Sequence, residues 1–429
     1  LHRFGRNHKL RFPHRTFAPM STFTQQKLHP ILVRAVAQSL YSIFLDDRYA
    51  DKVIEHTLRN NPKAGSRDRA FIAETTYEVV RYFRLYNAIL GRTPEREADF
   101  WHIIGIHFLL QGAPALPEWR EWEALHPKLI LHKAQGLLET RRFRESIPDW
   151  LDDRGAQELG DAWDETLHHL NKQASVVLRT NTLKTNRIAL QKQLLEEGVE
   201  SEPIGDDLAL RLLKRQNVFT TKAFRAGMFE VQDYSSQLVA QLLAPTPGMR
   251  VVDACAGAGG KALHISALMQ GKGSLIALDT VEWKLAELRK RASRGGAPNI
   301  ETRVIESKKV VKRLYDSADR LLLDVPCSGL GILRRNPDAK WKLKPAAIEQ
   351  LRELQQEILQ SYSPILKPGG RMVYATCSIL PSENQDQVTA FLNCPAGIDI
   401  RLLEEKRILP QDQGFDGFYM ALLEKQSPA

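Results

Sequence analysis

The feature that most constrains this chain is a series of five short apolar segments beyond Pro245 and Pro247: MRVVDACA, SLIALD, VIES, RLLLDV and RMVYATCS. Helical patterns such as KLAELRKRA and IEQLRELQQEILQSYSPIL lie between them. The apolar residues run on instead of alternating, which suits strands covered on both faces. Strands alternating with helices provide that cover in a parallel sheet wrapped on both sides. Two later pieces, IRLLEEKRILP and GFYMALLEK, are expected to add two strands that close one edge. The expected fold is α/β, with a Rossmann-like domain over 231–429.

Upstream the pattern changes twice. Over 21–140 it is helical: Leu32, Val36, Leu40 and Ile43 recur at helical spacing, as do Ile72, Val79, Val80 and Phe83. Ser66 in AGSRDRAF is expected to be an N-cap, with Asp68 in the first turn complementing the helix dipole. Arg67, Arg69, Arg81 and Arg84 form a charged helical face that suits either RNA or plain solvation. The region 141–230 opens with FRESIPDWLDDR and reads as a small α+β, RRM-like domain. ASVVLRTNTLKTNR gives a strand and polar turn, IALQKQLLEEG a helix, and LALRLL and MFEVQD further strands. Arg179, Asn181 and Lys184 make a polar cluster suited to phosphates. Residues 1–20 are expected to be a disordered leader, with Met20 a candidate start; the first 19 hold five Arg/Lys, three His and no acid. An Arg-rich, acid-free stretch also suits a transit peptide, although this one lacks a clear amphipathic period.

At 429 residues the chain calls for two or three domains. A formal net charge of +9 favours a polyanionic partner, while leaving a merely basic protein possible. No apolar run approaches the ~20 residues of a membrane span, so no membrane partner is expected. The four cysteines, Cys255, Cys327, Cys377 and Cys394, form no C-x-x-C pair. Neither a metal site nor a disulfide framework is expected, and a reducing, cytoplasmic location fits.

In open α/β sheets ligands bind beyond the carboxyl ends of strands, so the residues at those ends carry the chemistry. The first strand ends in Asp253-Ala-Cys-Ala-Gly-Ala-Gly-Gly-Lys261, a glycine-rich turn that lets a ligand approach the backbone. Its G-x-G-G spacing fits neither a P-loop nor a dinucleotide fingerprint. The second strand ends at Asp279, an acid suited to the two hydroxyls of an adenosine ribose, or alternatively to capping the next helix. Together they point to an adenosine-containing cofactor without a pyrophosphate. DVPCSG and YATCSILPSEN then put Cys327 and Cys377 at two further strand ends, flanked by Asp324 and by Glu383-Asn384. Either thiol could be a nucleophile, a helper or a core residue.

CAGAGGK, LDVPCSGLGILRRNPDAKW and YATCSILPSEN resemble the RsmB (Sun/Fmu) family of 16S ribosomal RNA cytosine-5 methyltransferases, and IPDWL, LRTNTL and FEVQDYSSQL extend the likeness upstream. The helical region resembles, more loosely, the NusB-like RNA-binding domain of that family. The resemblance implies S-adenosyl-L-methionine as cofactor and ribosomal RNA (16S or its small-subunit precursor) as partner; separately, a monomer is expected. It implies catalytic roles for Cys377 (attack), Cys327 (release), Asp324 (the cytosine edge) and Lys261 (orienting the base). It implies a cofactor site of Cys255, Ala256, Gly257, Ala258, Gly259, Gly260, Lys261, Asp279 and Asp324, with Glu306 on the adenine side. The chain departs from the family in having Gly257-Ala258 for the usual Ala-Pro, Ala262 for Thr, and Glu306 where Asp is commoner. In GILRRNPDAKW, Arg334 and Arg335 are expected to meet RNA phosphate and Trp341 to anchor packing. A tRNA substrate and an RNA-binding assembly factor without catalysis are the competing readings.

Overall fold

A computed structural model describes residues 28–205 and 207–427; the expected leader, 1–20, lies outside the described residues. The chain divides into two compact units, the first ending at Asp149 and the second beginning at Trp150.

The first unit is helical: Pro30–Phe44, Ala50–Asn60, Ser66–Arg81, Phe83–Leu90, Glu97–Leu110, Pro127–Leu138 and the short Arg141–Arg144. Glu97–Leu110 is buried from Asp99 to Leu109 except for His102, as befits a central helix apolar on nearly every side. The Asp99 carboxylate accepts the Glu95 and Arg96 amides at 3.0 and 3.2 Å, satisfying donors at the helix start. A Cβ on Gly105 would lie 2.4 Å from Leu125 Cδ1, so glycine lets the chain cross there. The helix expected to be capped by Ser66 has Gly65 at its N-cap instead. Ser66 is its first residue, and Asp68 reaches back to the Gly65 amide at 3.3 Å. Three of the four arginines read as an RNA face have partners inside this unit. Arg69 donates to Leu58 O, Arg81 pairs with Glu78 at 3.0 Å, and Arg84 meets Ile147 O and Asp149. Arg67 is exposed.

The second unit opens with helices Asp149–Leu159 and Ala162–Leu170, locked where Trp163 Nε1 donates to Asp152 Oδ1 at 2.8 Å. A four-stranded antiparallel sheet follows: β1 (Val177–Thr180), β2 (Ser201–Ile204), β3 (Ala209–Leu212) and β4 (Phe229–Val231), in the order β2-β3-β1-β4. Helices Arg187–Glu196 and Lys222–Arg225 join β1 to β2 and β3 to β4, giving a βαββαβ, ferredoxin-like layer.

The large sheet contains β5 (Arg250–Asp253), β6 (Ser274–Asp279), β7 (Ile300–Val304), β8 (Ala318–Asp324), β9 (Leu366–Thr376), β10 (Ile400–Ile408) and β11 (Phe418–Lys425), ordered β10-β11-β9-β8-β5-β6-β7. Strands β5 to β9 are parallel, and β11 runs antiparallel between β9 and β10. The Rossmann-like sheet and its two-strand edge are therefore as the sequence predicts. Alternate residues feed different layers. Leu321, Leu323 and Tyr374 pack with Leu359 and Phe391, whereas Leu322 and Val373 pack with Val239, Ile265 and Leu288. Strand order reverses between β5 and β8, so ligand space opens beyond their carboxyl ends. No helix among the described residues is long and apolar enough to cross a membrane.

Candidate active site

Four neighbouring strands, β6, β5, β8 and β9, end in Asp279, Asp253, Asp324 and Thr376. The turn after β5 runs into helix Gly260–Leu268 through Gly257 and Gly259, whose φ values are +53° and +88°. Side chains are strained there, and a Cβ on Gly259 would also meet Leu288 Cγ at 2.5 Å. Asp279 holds this turn: its carboxylate accepts the Gly257 and Val281 amides, each at 2.9 Å. The Ala256 amide is spent on Leu278 O at 2.8 Å. A carboxylate has about four acceptor positions, so Asp279 keeps capacity for a ribose.

The turn is also braced from the ferredoxin-like layer, which the sequence reading missed. Arg179, expected to suit phosphate, is fully buried and donates to Gly260 O at 2.7 Å and to Gln232. Burial lowers its pKa to about 9. Arg291 donates to Ala258 O at 2.7 Å and pairs with Glu230, which Arg294 also grips. Asn181 is likewise turned inward, donating to Gly227 O and Gly295 O, and of the trio only Lys184 is exposed.

Asp253 is 1% exposed, and its carboxylate is eased by the Cys255 backbone amide but completes no hydrogen bond with a side chain among the described residues. Burial, then the neighbouring Asp324 charge, pushes its carboxyl up to about 7. A buried acid with no side-chain donor beside an open glycine turn, and a second acid at the next strand end, fit a ligand carrying a cation and a ribose. S-adenosylmethionine has both. Burial and then the charges of Asp253, Asp324 and Asp279 hold the Cys255 thiol well above the usual range, which disfavours its thiolate. Glu306 is exposed in the loop after β7, whose first residue, Ile305, is tied by its amide to Asp279 O at 2.9 Å.

Lys261, in the first turn of the helix, reaches Asp324 Oδ2 at 2.7 Å and passes 5.1 Å from the centre of the Phe418 ring. Burial would discharge the amine, but the Asp324 charge and hydrogen bond outweigh it and raise its pKa. Cys377 also contributes to holding that ammonium.

The sulfurs of Cys327 and Cys377 lie 3.4 Å apart. Cys327 is pushed well above an ordinary thiol, first by its hydrogen bond with Cys377, then by burial and by the Glu383 charge. The two cysteine loops are joined through Gly331, whose amide donates to Cys377 O at 2.8 Å. Cys394 lies away from them, packed beneath the sheet near Phe391.

Arg334 and Arg335 do not present free charge for phosphate. Arg334, 4% exposed, donates to Gly414 O and His169 O. Arg335 bridges Asp416 and Asp233 at 2.6 and 2.7 Å. Trp341 is half-buried against Lys340. Among the described residues, no group of three or more His, Cys, Asp or Glu could hold a metal ion.

Comparison with known proteins agrees with this layout. Residues 240–424 match the family model described as 16S rRNA methyltransferase RsmB/F, and residues 147–219 match the ferredoxin-like domain of RsmF/B-like methyltransferases. A probable ribosomal RNA small subunit methyltransferase B from Synechocystis is 33% identical, over 88% of this chain and 96% of that one. The ribosomal RNA small subunit methyltransferase B of Pasteurella multocida is 37% identical, and the match spans just under two thirds of it, 65% of each chain. Among solved structures, a methyltransferase homolog protein from Pyrococcus horikoshii is 27% identical with a TM-score of 0.59, covering 68% of this chain and 99% of that one.

Proposed function

The chain belongs to the RsmB family of S-adenosylmethionine-dependent RNA methyltransferases, and on that premise we propose that it methylates carbon 5 of a cytosine in small-subunit ribosomal RNA through a covalent adduct with Cys377. The observation that carries this reading is the 3.4 Å contact between two thiols at adjoining strand ends, beside a Lys261–Asp324 pair.

Carbon 5 of cytosine is too weak a nucleophile to accept a methyl group unaided. In the proposed reaction the Cys377 thiolate adds to carbon 6, and the ring electrons move to make carbon 5 enamine-like. Asp324 accepts a hydrogen bond at the cytosine edge and favours this addition, while Lys261 orients the base. The bound cofactor supplies an electrophilic methyl group. Its holders would be the backbone of Cys255 to Gly260, Lys261 and Asp324 at the reacting end, Asp279 on the ribose and Glu306 toward the adenine. Loss of the carbon 5 proton to a base then lets the ring electrons expel Cys377, and Cys327, bearing a proton, assists release.

Ribosomal RNA is favoured because the two relatives are described as a probable and a named ribosomal RNA small subunit methyltransferase B, and we propose that the helical unit binds RNA. An unpaired or flipped cytosine is required, since carbon 6 is out of reach inside a helix. Free cysteines support a reducing, cytoplasmic setting, and a monomer is part of the same proposal. The test is bisulfite sequencing of small-subunit rRNA and tRNA incubated with the full chain and S-adenosylmethionine. A new protected cytosine in rRNA is expected. Protection in tRNA alone would replace the substrate, and protection in neither would overturn the enzymatic reading.

A further inference from the structure

Glu383 is fully buried, yet no lysine or arginine is among its hydrogen-bond partners. It accepts the Ser328 amide at 2.8 Å, the Ser328 hydroxyl at 2.5 Å, the Ser378 hydroxyl at 2.5 Å and the Gln355 amide group at 3.1 Å. Ser328 and Ser378 are the residues that follow Cys327 and Cys377. One carboxylate therefore ties together the two loops that display the thiols. Gln355 extends the clamp by donating to Pro326 O at 2.9 Å, on the other side of Cys327.

The chemistry of the clamp requires an acceptor. Each serine hydroxyl has a single proton, and both are directed to Glu383 Oε2. The 3.2 Å contact between the two hydroxyl oxygens is thus maintained by the shared carboxylate and is not a hydrogen bond of its own. The loop carrying Glu383 is fixed from outside as well: Ser382 gives its amide and hydroxyl to Glu158 at 3.0 and 2.9 Å. A buried carboxylate satisfied by neutral donors is costly in stability, and a glutamine could fill the same space.

We propose that Glu383 is a positioning residue of the methyl transfer, holding Ser328 and Ser378 on one carboxylate so that the Cys327 and Cys377 sulfurs stay in contact with their separate roles. The inference rests on the proposed thiol chemistry. The Glu383 charge disfavours a thiolate at Cys327, whereas a charge on Cys377 favours the Lys261 ammonium. The proposed roles, attack at Cys377 and release at Cys327, follow that difference in charge.

The test compares wild type, Glu383→Gln, Glu383→Asp and Ser328→Ala/Ser378→Ala in the full chain. Four measurements are made: kcat and KM on rRNA, thermal unfolding, the pH profile of Cys327 alkylation by iodoacetamide, and adduct formation with an RNA oligonucleotide containing 5-fluorocytidine. Glu383→Gln should lower kcat about 10²-fold with KM little changed, and shift Cys327 alkylation to lower pH; Glu383→Asp should recover part of both. Should Glu383→Gln not fold, the double serine variant, which keeps the charge but removes both hydroxyl bonds to it, must show the kcat loss. A folded Glu383→Gln with wild-type kcat and alkylation overturns the inference, as does wild-type kcat in the double serine variant. Failure of the wild type to trap on 5-fluorocytidine overturns the thiol chemistry itself, a distinct outcome.

Discussion

Lys261 and Asp324, 63 residues apart in the chain, close a 2.7 Å ion pair at the carboxyl edge of the sheet. The lysine comes from the helix after β5 and the aspartate from the end of β8, so the pair spans the point where strand order reverses. With Lys261 12% exposed, each charge depends on the other for compensation. Asp324→Asn should lower the single-turnover methylation rate by about 10² to 10³-fold, the range for losing one preorganised polar group. Lys261→Met should cost a similar factor. Since the two act as a unit, the double variant should be far less impaired than the product of the single losses. Multiplicative losses would show that they act independently.

The thiol pair predicts opposite phenotypes. Cys377→Ala should form no covalent adduct with RNA and should not methylate. Cys327→Ala should still attack but release slowly, leaving an RNA–protein band that survives denaturing electrophoresis. An adduct formed by Cys377→Ala would exchange the two roles.

These strand-end residues were legible in the sequence because each sits where an apolar run stops, and a parallel sheet collects such ends along one edge. The arginines were not legible. Composition shows that Arg179, Arg334 and Arg335 are charged but not what they face. Arg179 lies on β1, 81 residues before the Gly260 carbonyl it holds. Glu383 was visible only as a neighbour of Cys377, since its role depends on Ser328, 55 residues away. The cap expected at Ser66 falls one position earlier, on Gly65, whose amide Asp68 accepts from the first turn.

Asp253 gives the fold a pH signature. Its ordinary value is 3.8, and the folded protein holds it up to about 7, through burial first and the Asp324 charge second. Between those values the folded state keeps a proton that the unfolded state has lost. Its contribution is therefore complete below the lower value and declines as pH rises to the upper one, by up to about 1.4 kcal/mol per pH unit. Asp253→Asn removes that titration. Across the same window, urea unfolding should show wild type losing stability relative to the variant as pH rises. A difference independent of pH would mean that Asp253 is ionised throughout.

Arg335 separates internal pairing from RNA contact. It donates to Asp416 and Asp233 at 2.6 and 2.7 Å, and Asp416, 2% exposed, is still raised to about 6, mainly by burial. Arg335→Ala would leave those acids without their shared cation and should cost about 3 kcal/mol by urea unfolding. RNA affinity tells whether the guanidinium also meets phosphate. Each phosphate contact adds about one unit to the salt dependence of log K against log salt concentration. The internal pairing predicts an unchanged slope for folded Arg335→Ala. A slope reduced by about one unit would instead show that Arg335 leaves its acids to hold the RNA backbone.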